Sequence, residues 1–283
     1  MTTRRITNDD IRRTVKELCI KANTVLRPDV LEVLKKGADE EEKGSVSEKM
    51  MRILIENAAM AEKETMPICQ DTGLVSVFLE IGEDVSIEGK GLKDAINKGV
   101  EEAYKDTFLR KSVVADPILR DNTGTNTPAI INLDIVKGDK LTIWVMPKGF
   151  GSENKGSICM MNPTCTEEDI VKFCTDTVKK AGSDACPPYI LGIGLGGTMD
   201  TCASLAKKAL LEPVGGKNKK PHIADMERRI REEVSNLGIG IMGLGGKSTV
   251  LGVRIKESPT HIAGLPVAVN LSCHALRSAC AEL

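Results

Sequence analysis

Apolar residues in the first sixty positions recur every three or four places, and that spacing predicts helices. Ile11, Val15, Leu18 and Cys19 fall on one face, behind the capping candidates Asn8-Asp9-Asp10. Pro28 suits the start of a second helix, with Val30, Leu31 and Leu34 on its apolar side. A charged run over 36–43 reads as a solvated helix end or loop, and 47–63 reads as a third helix. From Leu74 the pattern changes. Residues 74–82 are rich in β-branched and large apolar side chains and predict a strand. A helix follows over 91–106, then a polar loop over 121–128. Strands over 130–136 and 140–147, joined by Lys-Gly-Asp, predict a hairpin.

The second half alternates more regularly. Helices are expected over 167–181, 199–211 and 224–237, and strands over 189–193, 250–255 and 266–271. Glycine-rich loops are expected over 148–156 and 238–246. The class is α/β, with α+β left open, because strands and helices alternate only in part. A helical N-terminal region precedes mixed sheets flanked by helices. The chain reads as a single domain over 1–283, of one or two lobes.

Composition narrows the functions. The 283 residues are 41% apolar, enough for a large core. Their net charge of -1 leaves no electrostatic footprint for nucleic acid or an anionic membrane. Seven aromatic residues are too few for base-stacking platforms. No apolar run has the length of a membrane span, and the N-terminus lacks a secretory pattern. A cytoplasmic protein is expected. Nine cysteines, with no Cys-x-x-Cys pair, then suggest packing residues and ligands rather than disulfides.

Three of those cysteines have unusual neighbours. Cys69 lies in Met66-Pro67-Ile68-Cys69-Gln70-Asp71-Thr72-Gly73, a thiol beside an amide and a carboxylate. Cys186 precedes Pro187-Pro188, which keep the backbone extended. Cys273 lies just past a strand in Asn270-Leu271-Ser272-Cys273-His274. Three loop cysteines at element ends are candidates for one metal centre, whereas Cys159, Cys165, Cys174 and Cys202 read as packing residues. Two glycine motifs compete for attention. Gly192-Ile193-Gly194-Leu195-Gly196-Gly197 matches G-x-G-x-x-G after a strand, so a nucleotide-binding module is an alternative. Gly245-Gly246-Lys247-Ser248 resembles the end of a phosphate loop, but its first glycine would have to stand at Ile241. An anion site built from its backbone N–H groups stays open. A non-catalytic scaffold subunit is the plainest alternative.

The three cysteine motifs together resemble the iron–sulfur (class I) fumarases over nearly the whole chain. The match is to the cluster-bearing N-terminal part of the single-chain enzymes, or to the α subunit of the two-subunit forms. The chain's stop at Leu283, soon after Cys273, suggests the two-subunit arrangement. The resemblance implies a [4Fe–4S] cluster held by Cys69, Cys186 and Cys273, with one iron open as a Lewis acid. It implies reversible hydration of fumarate to malate, a reaction of the tricarboxylic acid cycle. Asp71 and His261 would be catalytic, and Gln70, Arg110, Gly149, Gly151 and Lys155 would bind the dicarboxylate. A β subunit would supply the remaining groups in a hetero-oligomer. The tartrate dehydratase α subunit shares these motifs. The loop Gly151-Ser152-Glu153-Asn154-Lys155 looks more like the fumarases, although Phe150 stands where their single-chain forms have glycine.

Overall fold

A computed structural model describes residues 3–283. In chain order its elements are β1 (Arg4–Thr7), α1 (Asn8–Thr24), α2 (Pro28–Glu40), α3 (Val46–Glu64), β2 (Leu74–Gly82), β3 (Val85–Glu88), α4 (Leu92–Asp106), β4 (Ile130–Val136) and β5 (Leu141–Lys148). Then come α5 (Phe150–Glu153), β6 (Ser157–Met161), α6 (Glu167–Ala181), β7 (Tyr189–Gly196), α7 (Met199–Ala209), α8 (Pro221–Ser235), β8 (Val250–Ser258), β9 (Leu265–Ser272) and β10 (Ala279–Glu282). The class is mixed α/β, as the pattern implies. The chain divides into two compact units. One holds the residues up to Arg27 with Ala58–Phe150 and Arg277–Leu283, and the other holds Pro28–Asn57 with Gly151–Leu276.

The first unit is built on a four-stranded sheet in the order β10-β5-β2-β4. Helix α1 starts at a capping box. The Thr7 hydroxyl accepts the Asp10 N–H, and the Asp10 carboxylate accepts the Thr7 N–H. The cap is thus one residue earlier than Asn8, and such a cap is worth about 1 kcal/mol. Ile11, Val15 and Leu18 from α1 join Ile96, Val100 and Tyr104 from α4 over Val75, Val77 and Leu79 of β2. The expected hairpin of 130–136 with 140–147 does not form. Strand β2 lies between them, parallel to β4 and antiparallel to β5. The Lys-Gly-Asp turn arches over the end of β2 instead. There the Gly82 N–H donates to Lys140 O at 2.9 Å and the Asp84 N–H to Gly138 O at 2.9 Å. A side chain at Gly82 would place its Cβ 2.3 Å from Gly138 O, so the turn can close only over glycine.

The second unit has a sheet in the order β6-β9-β7-β8. Side chains alternate across β7. Tyr189, Leu191 and Ile193 enter a core with α6 and α8, through residues such as Cys174, Val178, Ile230 and Val234. Gly192 and Gly194 face the other way, against α7. A Cβ at Gly192 would lie 2.1 Å from Ala206 O, and one at Gly194 would lie 2.0 Å from Cys202 O. The G-x-G-x-x-G pattern is therefore a strand in backbone contact with a helix. Its glycines are taken up by packing, and no open loop is left to cradle a pyrophosphate.

The near-miss phosphate loop also has an occupant from within the chain. The carboxylate of Glu41 accepts the Lys247 N–H at 3.0 Å, the Ser248 N–H at 2.9 Å and the Ser47 hydroxyl at 3.0 Å. Glu41 is 5% exposed. Burial raises its pKa, but these bonds outweigh that and hold the carboxyl below the usual glutamate range.

Two outcomes follow. Gly194→Ala must push α7 off its strand and should lower urea-measured stability by about 3 kcal/mol. Glu41→Gln replaces an accepting oxygen by a donor facing N–H groups, and should lose about 1–3 kcal/mol at neutral pH. Because the folded pKa is depressed, this stability is present above the unfolded pKa and is lost as pH falls through the folded value. The gap between wild type and Glu41→Gln should accordingly narrow in acid, which denaturant titrations across pH would read.

Candidate functional site

The first unit brings Cys69, Gln70, Asp71, Arg110 and Gly149 to one end of its sheet. The loop carrying Cys69 leads into β2, and Gly149 follows β5. Leu74 pairs with Lys148, so the start of one strand meets the end of the other. The loop's peptide groups are held from several elements. The Ile68 N–H donates to Asn23 O of α1 at 2.9 Å. The Tyr104 hydroxyl of α4 reaches the Thr72 and Gly73 carbonyls, and Asn126 Nδ2 donates to Gly73 O at 3.1 Å. The Thr72 hydroxyl donates to Arg110 O at 2.7 Å, which ties the arginine's backbone to the loop. Burial pushes the Tyr104 phenol well above its ordinary range, so it stays a neutral donor.

Asp71 is half-buried, and both its oxygens are engaged. Oδ1 accepts the Gly73 N–H at 3.0 Å and Oδ2 accepts the Phe150 N–H at 2.8 Å. A Cβ at Gly149 would sit 3.2 Å from Asp71 Oδ2 and 3.3 Å from Arg277 Nη2. The bare Cα is what lets the carboxylate and a guanidinium approach from two sides. Gln70 and Arg110 are exposed. Arg277, buried, and Lys148, also buried, are residues that sequence reasoning passed over. The available signal for Arg277 was a single charge in the small and apolar run Ala275-Leu276-Arg277-Ser278-Ala279.

The second unit brings Cys186, Cys273 and Lys155 to one end of its own sheet. β7 and β9 are antiparallel, with Ile190 opposite Ser272. The loop before β7 and the loop after β9 therefore leave the same edge. His274 joins them, its backbone N–H 3.5 Å from Cys186 O and its ring Nδ1 3.2 Å from the same carbonyl. Cys186 itself sits at φ +56°, a left-handed conformation rare outside glycine. The Met242 N–H holds the next residue by donating to Pro187 O at 2.7 Å. The glycine-rich stretch before β8 thus buttresses the cysteine turn. Gly151 lies in the short α5 segment, and Lys155 pairs with Asp184 at 2.7 Å, two residues before Cys186. Glu153 accepts Lys207 Nζ at 2.6 Å and Asn270 Nδ2 at 2.9 Å, anchoring the same stretch to α7 and β9.

His261 is not brought to this end. It lies exposed between β8 and β9, where Gly196 pairs with Ser258, about 25 Å along the strands from the cysteines. Its Nδ1 accepts the Ala263 N–H at 3.1 Å. The eight residues of β9 separate this loop from the end of the sheet that carries Cys273.

The cysteines separate by burial. Cys19, Cys174 and Cys202 are fully enclosed. Desolvation raises all three thiols, Cys174 to about 12 and Cys202 to about 11, so they stay protonated packing groups. Cys159 and Cys165 are half-buried in β6 and the turn after it. Cys69 and Cys273 are half-buried as well, and Cys186 and Cys280 are exposed; what sets Cys69, Cys186 and Cys273 apart is their place in strand-end loops, where thiol donors fit a soft iron centre. Among the described residues no group of three or more His, Cys, Asp or Glu is placed to hold a single metal ion. No helix there is long and apolar enough to cross a membrane.

The family model described as Fumarate hydratase (Fumerase) matches residues 12–282. The chain belongs to the fumarate hydratase (Fumerase) family. Its enzyme class is therefore that of a hydro-lyase. Within this family it is similar to the "Putative L(+)-tartrate dehydratase subunit alpha" of Methanocaldococcus jannaschii, at 39% identity over 94% of each chain. It is also similar to the L(+)-tartrate dehydratase subunit alpha of Escherichia coli UTI89, at 33% identity over 90% of this chain and 84% of that one. The subunit of that name from Escherichia coli K12 is 32% identical over the same shares.

Gly149→Ala offers a direct check. The added methyl is too tight by a few tenths of an ångström against both Asp71 and Arg277. We expect kcat for the family reaction to fall about tenfold or more, because small displacements of reacting groups are costly. Thermal unfolding should shift by only a few degrees. An unchanged kcat would show that the close approach is incidental.

Proposed function

We propose that this chain is the cluster-bearing α subunit of a hydro-lyase that interconverts fumarate and malate. The observation that carries the reading is that the loop before β7 and the loop after β9 leave one sheet end with Cys186 and Cys273, tied through His274. Cys69, Cys186 and Cys273 would hold a [4Fe–4S] cluster. Such a cluster, bound by three thiolates, supplies Lewis acidity at its open iron.

The chain's own groups divide the remaining work. Asp71, fixed by two backbone N–H groups, holds or moves a proton at its carboxylate. Gln70 and Arg110 bind a substrate carboxylate, where a guanidinium fork matches the anion. The Gly149 and Gly151 backbone allows close approach, and Lys155, anchored on Asp184, adds positive charge for the second carboxylate. His261, at the far end of its sheet, is outside this set. A β partner completes the site, in keeping with the names of the relatives as alpha subunits.

A second reading, L(+)-tartrate as substrate, is favoured by those same names. Against it stands the fumarase-like loop Gly151-Ser152-Glu153-Asn154-Lys155 and the family description.

Anaerobic reconstitution with iron and sulfide tests the ligands. Cluster absorption should form in wild type and in Cys174→Ala, and fail in Cys69→Ala, Cys186→Ala and Cys273→Ala. Equal incorporation in all of them would sink the assignment. The chain co-expressed with its β partner should hydrate fumarate faster than it dehydrates L(+)-tartrate. The reverse order would replace the first reading by the second.

A further inference from the structure

Arg277 is an unusual residue for a stability role. It is 4% exposed. Its Nη1 donates to Asn23 Oδ1 at 3.2 Å, and its buried Nε has no hydrogen-bond partner. Among the described residues no carboxylate lies within ion-pairing distance of the guanidinium. A buried cation without a paired anion destabilises a fold, so its retention calls for another reason.

Its surroundings supply one. The chain re-enters the first unit at Arg277, four residues after Cys273. One side of the guanidinium holds Asn23, whose carbonyl takes the Ile68 N–H beside Cys69. The other side faces the Gly149 Cα, across which stands Asp71 Oδ2. Asn23 is itself fully buried, its Nδ2 donating to Cys19 O at 3.0 Å, so this side of the clamp cannot drift. Arg277 thus acts on one end of the Cys69–Asp71 segment through Asn23, whose side chain it holds and whose backbone carbonyl takes Ile68, and on the other through its charge.

We propose that Arg277 is a positioning residue for the hydro-lyase reaction: a buried cation that orients the Asp71 carboxylate and the Gly149 backbone. The proposal rests on the functional reading above. Arg277 does not reach solvent, so it acts through Asp71 and not on the substrate itself.

The test uses the chain co-expressed with its β partner and purified anaerobically. Arg277→Met fills the same volume without charge. We expect its thermal midpoint to equal or exceed that of wild type, its cluster absorption to be retained, and its kcat to fall about tenfold or more with KM changed less than about threefold. Arg277→Lys should recover part of kcat. In a double-mutant cycle, Arg277→Met should cost little further activity once Asp71→Asn is present. Wild-type kcat in Arg277→Met, or losses from the two substitutions that simply multiply, would overturn the proposal. Should Arg277→Met fold poorly, the cycle with Arg277→Lys decides in the same way. A wild-type complex that turns over neither fumarate nor tartrate would instead overturn the functional reading, while the thermal comparison still tests whether the charge is kept at the expense of stability.

Discussion

A loop that turns inside a protein must find partners for its own peptide groups, since unpaired ones are expensive away from water. The segment Ile68–Gly73 finds them on α1, α4, the 107–128 loop and the end of β5. Each of those elements is itself fastened to the sheet by the apolar core of the first unit. The position of Cys69, Gln70 and Asp71 is therefore set by burial several residues away. Tyr104 shows the coupling: its ring belongs to the core, while its hydroxyl holds the loop. Loss of packing around α4 would be felt at the loop carboxylate.

The same economy explains the glycines. This chain has 26 of them, and several sequence motifs built on them look like ligand loops. At Gly192 and Gly194 the absent side chain lets a helix backbone rest on a strand. At Gly246 a Cβ would lie 2.7 Å from the Glu41 carboxylate that fills the adjoining cluster of N–H groups. At Gly149 it admits two charged groups to one backbone atom. Motif matching cannot tell these uses apart, because all three require the same thing, the lack of a Cβ. Only the neighbour that occupies the space distinguishes backbone packing, an internal anion and the approach of two charged side chains.

Much of the fold was legible along the chain. The helices over α1, α2, α3, α4 and α6 are found within a residue or two of where their apolar periodicity puts them. Helix α8 begins at Pro221, three residues before its periodic face, because proline is pre-organised for a first helical turn. Short strands were missed. β1, β3 and β10 have four residues each, too few for alternation to register, and they exist because partner strands complete their ladders. The hairpin of β4 and β5 failed for a related reason. Strand β2 competes for the same edges, and local turn chemistry carries no information about a third strand.

For the site, the sequence by itself determined the chemistry: which cysteines stand in loops, that a carboxylate adjoins Cys69, and that the family is one of hydro-lyases. These are properties of side-chain type and local backbone, and they survive in a linear reading. Tertiary structure alone decided who stands beside whom. It put His261 at the far end of its sheet, gave the Lys247 and Ser248 N–H groups to Glu41, and set the buried Arg277 across Gly149 from Asp71. Arg277 lies more than two hundred positions from the loop it adjoins, and a contact at that separation is created by chain crossing and core packing, which no local pattern encodes.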